Sequence, residues 1–365
     1  MQNGQRLPAE TLYAKELAAL QSADQNPKPS GWQLSPRMVR TFILGSNNEP
    51  VQDTPISRKI YGNDAAVERA IVTLMSQQGL MLVGEPGTAK SLLSELLTAA
   101  ISGQSTLTVQ GSAGLFEENI RYSWNYAALL KDGPSLDAMV PGPLFQAMKQ
   151  GRLMRFEEIT RCPTEVQDNL IPVMSDRILQ IPELKDSDEA YLLSQPGFNI
   201  IATANLHDRG VNQMSSALKR RFNFETLQPI RTKKQKTELV MTQVNRRLQQ
   251  DALDIQIDQE TTELLITVFD ELRHGNVSGL SVTSPTTLLS LAEAINVAYN
   301  AAISSHYFGD QQVSAGHLPS FMLGTIIKDN EKDRDCFHDY IRVIQRQRAD
   351  DPQWQAFVDG CRNHV

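Results

Sequence analysis

The sequence predicts an α/β protein in which a parallel sheet, flanked by helices, is followed by a C-terminal α-helical lid domain. Two observations carry this prediction. Short apolar segments alternate with helical segments between residues 80 and 226, and only long helical segments follow residue 230. Strand–helix alternation is typical of a parallel sheet with helices on both faces. A chain of 365 residues is also long enough for two domains.

Bulk composition narrows the class of protein. With 41% hydrophobic and 21% charged residues, the chain resembles ordinary globular proteins. The net charge of −7 argues against a dedicated nucleic-acid binder. No apolar run approaches the ~18 residues of a membrane span, and the first residues lack a secretory signal, so we expect a cytoplasmic protein. Cys162, Cys336 and Cys361 form no CxxC pair, which argues against disulfides and zinc.

The first 54 residues read as an N-terminal extension and linker. A helical stretch, Glu10–Leu20, precedes a polar break at Asn26–Ser30, and a second polar stretch, Gly45–Pro55, contains two prolines. We therefore predict three parts: the extension over residues 1–54, the α/β domain over 55–229 and the helical lid over 230–365.

Within the α/β part, short apolar runs predict five strands. They are Leu80–Val83, Leu107–Val109, Leu153–Phe156, Phe198–Ala202 and Phe222–Thr226. Arg155 interrupts the third run. Helical spacing predicts helices over Asn63–Gln77 and Ser91–Ser102, and alternating residues in Arg177–Pro182 and Ala190–Leu193 predict a β-hairpin.

Beyond residue 230 the pattern predicts helices only. The candidates are Thr232–Gln249, Gln259–Leu272, Ser284–Ala302 and Asp333–Gln347. Ser284-Pro285 is a helix-start signal for the third.

The strongest chemical signal lies between the first strand and its helix. Small residues there let the main chain wrap closely around phosphates, with its N–H groups pointing inward at a helix N-terminus. Lysine then contacts the β- and γ-phosphates, and serine ligates Mg²⁺, so the predicted cofactors are ATP and Mg²⁺. The loop is Gly84-Glu85-Pro86-Gly87-Thr88-Ala89-Lys90-Ser91. Ala89 replaces the usual glycine, and its methyl group is tolerable there if the position has helical backbone angles rather than positive φ.

Two adjacent acids follow the third strand. ATP hydrolysis needs one carboxylate near Mg²⁺ and another to polarise the attacking water. Glu157 is the candidate metal ligand, although aspartate is usual there, and Glu158 is the candidate base. The fourth strand ends at Asn205, whose amide is suited to holding the attacking water or a γ-phosphate oxygen.

The fifth strand follows a basic run. Arginine stabilises charge on a transferring phosphoryl group, and in ring ATPases a neighbouring subunit supplies it. Arg220 and Arg221 are both candidates. The run continues with basic residues up to Lys236, and a solvated face is the alternative interpretation.

Taken together, these motifs resemble the MoxR branch of the AAA+ ATPases over residues 55–300. Ile60-Tyr61-Gly62 is similar to the family's adenine-side segment, which adds Tyr61 and Gly62 to the candidate nucleotide contacts, and Leu92 joins them directly after the loop. The remaining matching segments are Pro141–Leu144, Glu157–Arg161 and Ile200–Asn205. The ending Leu218-x-Arg220-Arg221-Phe222 resembles the family's Leu-x-Arg-Phe, which favours Arg221 as the arginine finger.

The resemblance implies a hexameric ring in which ATP lies between the α/β domain and the lid, completed by the next subunit's arginine. It also implies chaperone-like remodelling of a partner together with a separate von Willebrand factor A domain protein. A hairpin within Phe116–Leu130, carrying Trp124 and Tyr126, would contact substrate or partner. Three alternatives stay open: the ATPase subunit of a metal chelatase, a nucleotide-gated scaffold with little hydrolysis, and a DNA-loading ATPase.

Two positions depart from the family pattern. Glu157 stands where aspartate is expected. In Ser284-Pro285-Thr286, Thr286 stands where the lid's sensor arginine is expected, and Arg273 is an alternative source of that contact. Both departures concern the hydrolysis of ATP rather than the fold.

Overall fold

The computed structural model of the chain describes residues 6–47, 49–185, 189–205, 210–286, 289–309, 311–328 and 330–362. Its contacts divide the chain into two compact units, Arg6–Pro229 and the residues from Ile230 onward. The first unit is the α/β unit and the second is the helical unit.

The α/β unit contains eleven helices and nine strands in its described residues, with two further 3₁₀ turns at Ile159–Arg161 and Pro182–Leu184. In chain order they are α1 (Ala9–Leu12), α2 (Ala14–Ala23), α3 (Pro36–Leu44), α4 (Asp64–Met75), β1 (Gly79–Val83), α5 (Lys90–Ser102), β2 (Thr108–Gln110), α6 (Glu117–Ile120), β3 (Tyr122–Trp124), α7 (Tyr126–Asp132), β4 (Met139–Pro141), α8 (Pro143–Gln150), β5 (Leu153–Glu157), α9 (Thr164–Asp168), α10 (Leu170–Asp176), β6 (Ile178–Gln180), β7 (Tyr191–Leu193), β8 (Asn199–Ala204), α11 (Ser216–Lys219) and β9 (Phe222–Thr226).

Five strands form one parallel sheet in the order β2-β5-β8-β1-β9. Both faces of this sheet are covered by helices. Successive residues of β1 show this, because Leu80 and Leu82 belong to one apolar core while Met81 and Val83 belong to the other. Side chains alternate across a strand, so a strand buried on both faces is apolar throughout. The predicted α/β fold is therefore confirmed.

Arg155 lies inside β5 and pairs in register with Ile201, so it does not interrupt the strand. Its side chain makes polar contacts that are described with the site below. The predicted hairpin also forms, since β6 and β7 pair antiparallel.

The segment predicted as an N-terminal extension packs onto the α/β unit. Tyr13, Leu20 and Phe42 are buried in the same core as α5. Lys59 is buried as well, and its Nζ donates to Glu16 Oε2 at 2.6 Å and to the Phe42 carbonyl at 2.7 Å. The described residues of the segment 6–54 are thus part of the compact unit rather than a separate linker.

The predicted hairpin within Phe116–Leu130 extends further along the chain. Trp124 ends β3, which pairs antiparallel with β4, and Tyr126 begins α7 between the two strands. The second strand lies beyond the predicted range because the chain forms a helix before it returns.

The helical unit contains, in its described part, six helices and a short β-hairpin whose two strands have two residues each. A 3₁₀ turn lies at Ala315–His317. The helices and strands are α12 (Lys233–Gln250), α13 (Gln259–His274), β10 (Asn276–Val277), β11 (Leu280–Ser281), α14 (Leu291–Phe308), α15 (Pro319–Ile326), α16 (Lys332–Gln347) and α17 (Pro352–Arg362). Their apolar faces form a separate core that includes Val244, Leu265, Ala298 and Phe337.

The helix predicted to begin at Ser284-Pro285 begins instead at Leu291. Ser290 caps it: Ser290 Oγ accepts from the Glu293 N–H, and the Glu293 carboxylate accepts from the Ser290 N–H at 2.8 Å. A reciprocal capping box satisfies two otherwise unpaired N–H groups, which the proline signal at residue 285 does not do.

None of the described helices combines the length and apolar character needed to cross a membrane. Cys162, Cys336 and Cys361 are free and buried.

Candidate functional site

The candidate residues gather at the carboxyl edge of the sheet. Val83 of β1 aligns with Ala204 of β8, and Phe156 of β5 aligns with Ala202. These three strands are adjacent, so the residues that follow them meet at one edge. In open α/β sheets this is the edge where ligands bind. The topology thus brings the loop after β1, the acids after β5 and Asn205 to one place.

The loop Gly84–Ser91 turns tightly between β1 and α5. Gly84 has φ 153° and Gly87 has φ 79°, both in the region that favours glycine. A Cβ on Gly84 would lie 2.6 Å from the Leu227 carbonyl oxygen, so only glycine fits there. Thr88 closes the turn, with Oγ1 donating to the Glu85 carbonyl at 2.8 Å.

Ala89 adopts the left-handed conformation, with φ 64° and ψ 26°, as the N-cap of α5. The helical angles under which a methyl group would be tolerable without strain are therefore absent at this position. Left-handed backbone costs a non-glycine residue about 1–2 kcal/mol, so the loop keeps the geometry that glycine usually supplies and holds it under strain. Such strain is typical of functional sites.

Lys90 begins α5 and is buried. Its Nζ donates to the carbonyls of Gly84 at 2.8 Å and Glu85 at 2.9 Å, so the ammonium lies against the loop. Burial lowers the pKa of Lys90, and the nearby carboxylates of Glu158, Glu157 and Glu85 oppose that shift. A desolvated cation facing a loop is suited to binding a polyphosphate.

Glu157 is the most thoroughly bonded acid of the site. Its Oε2 accepts from Ser91 Oγ at 2.7 Å and from Thr203 Oγ1 at 2.8 Å. Its Oε1 accepts from Ser94 Oγ at 2.6 Å and pairs with Arg155 at 2.8 Å. Burial raises the pKa of Glu157, but Arg155 and the three hydroxyls outweigh it and leave the pKa lowered. The group is therefore an anion at neutral pH.

Mg²⁺ fits this donor set. It prefers hard oxygen ligands and is commonly held by one or two protein side chains together with phosphate oxygens and water. The Ser91 hydroxyl and the Glu157 carboxylate lie within hydrogen-bond distance of each other beside Lys90. The two oxygens can therefore face one cation.

Glu158 has an unusual backbone and a partly exposed carboxylate. It adopts left-handed angles, with φ 52° and ψ 45°, and its N–H donates to Thr203 Oγ1 at 2.9 Å. Its side chain forms an ion pair with Arg161. The strained turn points Glu157 and Glu158 in different directions, so the first is buried against α5 while the second stays accessible to water.

Asn205 follows β8 directly. Its Oδ1 is buried and has no hydrogen-bond partner among the described residues. A buried polar atom left unpaired is costly, on the order of 1–3 kcal/mol. A water or ligand donor at this edge of the sheet would satisfy it, which suits the role predicted for the residue.

The two candidate arginines differ in their surroundings. Arg221 precedes β9, and its guanidinium donates from Nε to Ser175 Oγ at 2.6 Å and from Nη1 to the Ala217 carbonyl at 2.6 Å. Arg220 is exposed at the end of α11. Arg221 is therefore held in one orientation by residues of its own chain, and Arg220 is solvated.

The adenine-side candidates precede α4. Tyr61 is buried, and the Arg58 guanidinium lies 5.5 Å from the centre of its ring. Gly62 has φ 73°, which a residue with a Cβ disfavours. Leu92 lies in the first turn of α5 and packs against the core that contains Leu80. The structure thus places Tyr61 and Gly62 just before α4, which packs against β1, and Leu92 on the helix that follows the loop.

In the helical unit, Thr286 is engaged within that unit. Its N–H and its Oγ1 donate to the buried carboxylate of Asp333, at 2.8 and 2.6 Å. The Thr286 hydroxyl therefore satisfies the buried carboxylate of Asp333.

Sequence reasoning missed two residues of the site, Ser94 and Thr203. It named Arg155 but did not predict its contacts. Ser94 lies one turn after Ser91 on the same helix face, which was a usable signal. Thr203 is indistinguishable in sequence from any strand threonine. Arg155 was noticed only as a break in an apolar run.

Two family comparisons match most of the chain between them. The family described as AAA domain (dynein-related subfamily) matches residues 79–222, and the family described as YehL-like AAA+ ATPase C-terminal domain matches residues 234–360. The first range holds the candidate site from β1 to the start of β9. The second range holds most of the helical unit.

Individual relatives agree with these matches. YehL of Escherichia coli K12 is 47% identical over 98% of this chain and 96% of its own length. Chaperone MoxR1 of Mycobacterium tuberculosis is 28% identical over 47% of this chain and 41% of that protein. Among solved structures, NtrX of Brucella abortus aligns with a TM-score of 0.48 and 15% identity, covering 80% of this chain and 61% of the NtrX chain. This chain therefore spans less than two thirds of the length of MoxR1 and NtrX.

Proposed function

Since the chain belongs to the YehL-type AAA+ ATPases, which are related to MoxR, we propose that it binds Mg·ATP at the carboxyl edge of its sheet and hydrolyses it. The observation that carries this proposal is the convergence of Lys90, Ser91 and Glu157. Lys90 Nζ lies on the loop carbonyls, and Ser91 Oγ bonds Glu157 Oε2 at 2.7 Å. Phosphoryl transfer depends mainly on positioning and electrostatic stabilisation, and these residues supply both.

Each residue has a distinct part in the proposed reaction. The loop and Lys90 bind the phosphates, and Ser91 and Glu157 would hold Mg²⁺, which neutralises charge on the β- and γ-phosphates when bound. Glu158 is the acid with access to water and accepts a proton from the attacking water. Asn205 orients that water by accepting a hydrogen bond at its unpaired Oδ1, or contacts a γ-phosphate oxygen by donating from Nδ2.

We further propose that the protein works as a ring, most simply a hexamer, in which Arg221 of one subunit completes the site of the next. Ordered guanidinium groups stabilise transition-state charge without reorganisation, and Arg221 is ordered by Ser175 and Ala217. The biological role that we propose for the ring is to remodel a client protein together with a separate von Willebrand factor A domain protein. The name of MoxR1 as a chaperone supports that extension.

Calorimetry with Mg·ATP and a phosphate-release assay on the purified protein test the proposal. Heat of binding with steady phosphate release supports an ATPase. Binding with no release above that of Glu158→Gln would instead identify a nucleotide-gated scaffold. The absence of any binding heat for folded protein would contradict both. The client is sought by affinity purification with Glu158→Gln and ATP, with Lys90→Ala as the matched bait that cannot load nucleotide.

A further inference from the structure

We propose that Arg155 is a positioning residue for magnesium binding, which fixes the Glu157 carboxylate so that one oxygen faces Ser91. The inference rests on the proposed function, because it concerns the same nucleotide site. Arg155 touches no part of the nucleotide in this account. It acts through Glu157 and through the main chain of Ser91.

The two carboxylate oxygens of Glu157 have separate partners. Arg155 Nη2 and Ser94 Oγ bond Oε1, at 2.8 and 2.6 Å. Ser91 and Thr203 bond Oε2. One oxygen is thus anchored away from the loop, and the other is presented to the hydroxyl proposed to ligate Mg²⁺.

The same guanidinium also holds the start of α5. Its Nη2 donates to the Ser91 carbonyl at 3.2 Å, its Nε to Ser94 Oγ at 3.0 Å and its Nη1 to the Ser105 carbonyl at 3.2 Å. Arg155 therefore contacts both proposed metal ligands, the carboxylate of Glu157 and the backbone of Ser91. The side chains of Arg155 and Glu157 are 11% and 7% exposed, so solvent screens this pair weakly.

The longer side chain of glutamate explains why Glu157 needs the restraint that Arg155 provides. Glutamate has one more rotatable bond than aspartate, so its carboxylate samples more positions unless something restrains it. Only Nη2 of Arg155 bonds the carboxylate, and the planar guanidinium is held in place because its Nε and Nη1 bond Ser94 and Ser105 at the same time. Arg155 and Glu157 thus form a matched pair that substitutes for the shorter aspartate. The positive charge of Arg155 repels Mg²⁺. Positioning of Glu157, rather than charge, therefore accounts for an arginine beside a magnesium site.

The test measures the affinity for AMP-PNP by calorimetry, once with Mg²⁺ and once with EDTA. We call the affinity with Mg²⁺ divided by the affinity with EDTA the magnesium gain. Residues that orient metal ligands typically change metal affinity about 10- to 100-fold when removed. We expect Arg155→Leu to lower the magnesium gain about tenfold while the affinity in EDTA stays within about twofold. A purely structural role would weaken binding equally in both media or in neither. Arg152→Leu, which removes an arginine just before β5 that bonds Gln104, is the matched control and should keep the gain.

A double-mutant cycle tests the pairing itself. Glu157→Asp alone should lose gain, because the shorter carboxylate cannot reach Ser91 and Arg155 together. Glu157→Asp combined with Arg155→Leu should recover part of the loss, since aspartate needs no anchor. Additive losses would overturn the matched pair.

Circular dichroism checks folding, and Arg155→Lys serves if Arg155→Leu does not fold. Lysine keeps the charge but not the planar guanidinium, so we expect about a threefold loss of gain. An unchanged gain in the folded variant, or a wild-type protein that binds AMP-PNP equally in Mg²⁺ and EDTA, overturns the inference about Arg155. A wild-type protein that binds no nucleotide contradicts the proposed function instead.

Discussion

Ser91 Oγ donates a 2.7 Å hydrogen bond to Oε2 of Glu157. The bond joins the first turn of α5 to the end of β5, and it exists because β8 alone separates β5 from β1 in the sheet. Two motifs that lie far apart in the chain thereby become one oxygen-lined site. The following predictions test the parts of that site and its supports.

Lys90→Ala should abolish most nucleotide binding. Hydrogen bonds to charged groups contribute about 1.5–3 kcal/mol each, so the loss is on the order of 10- to 100-fold in Kd. Calorimetry with Mg·ATP measures it. Lys131→Ala is the matched control, because Lys131 is an exposed lysine on α7. A Kd for Lys90→Ala within about threefold of wild type would contradict the assignment.

Glu158→Gln should bind ATP normally. Its rate of hydrolysis should fall by about 100-fold or more, since a general base contributes at least that factor. The amide keeps the size of the side chain and cannot take a proton. Single-turnover phosphate release measures the rate, with the exposed Glu118→Gln as control. Full activity would remove Glu158 from the reaction.

Arg221→Ala should spare nucleotide binding and lower turnover by about 10³-fold, the lower range for an arginine finger. Arg220→Ala, one residue earlier and solvated, should change turnover by less than about threefold. Mixing Arg221→Ala subunits with Lys90→Ala subunits should restore activity, because some interfaces then combine an intact loop with an intact arginine. Failure of the mixture to recover would argue against action between subunits.

Ala89→Gly should stabilise the protein. It relieves about 1–2 kcal/mol of left-handed strain against a loss of about 0.4–1 kcal/mol through the more flexible unfolded chain. A rise in the thermal midpoint of unfolding checks this. Ala128→Gly in α7 is the control and should lower the midpoint, since helical glycine costs about 1 kcal/mol. Destabilisation by Ala89→Gly would show that the methyl group packs usefully.

The three thiols should resist alkylation in the native state. Burial raises the pKa of Cys162 and Cys336, and it raises that of Cys361 to about 12. A raised pKa lowers the thiolate fraction at pH 8, and the thiolate is the reactive form. Maleimide labelling followed by mass spectrometry should find little modification until denaturant is added, whereupon all three label. Rapid native labelling of any one would place it on a mobile part.

The sequence predicted the sheet and the tight loop after its first strand well, because both have local signatures. Buried parallel strands are apolar runs, and a loop with two glycines before Lys90-Ser91 needs no distant residue to be recognised. It failed to show that Ala89 has positive φ, because the backbone angles there depend on the path of the whole loop. It failed also at Ser284-Pro285, because a capping box at Ser290 outcompetes a lone proline.

By itself the sequence determined the α/β fold, the family resemblance and the identity of the candidate phosphate, metal and base residues. Only the tertiary structure decided how Glu157 is held, since Arg155, Ser94 and Thr203 come from β5, α5 and β8 and meet only when the strands align. It also bonded Arg221 to Ser175 and packed the described part of residues 6–54 against the core that contains α5. The physical reason is that local patterns report backbone conformation and burial, whereas the bonds of a buried charge depend on which distant elements the sheet order makes neighbours.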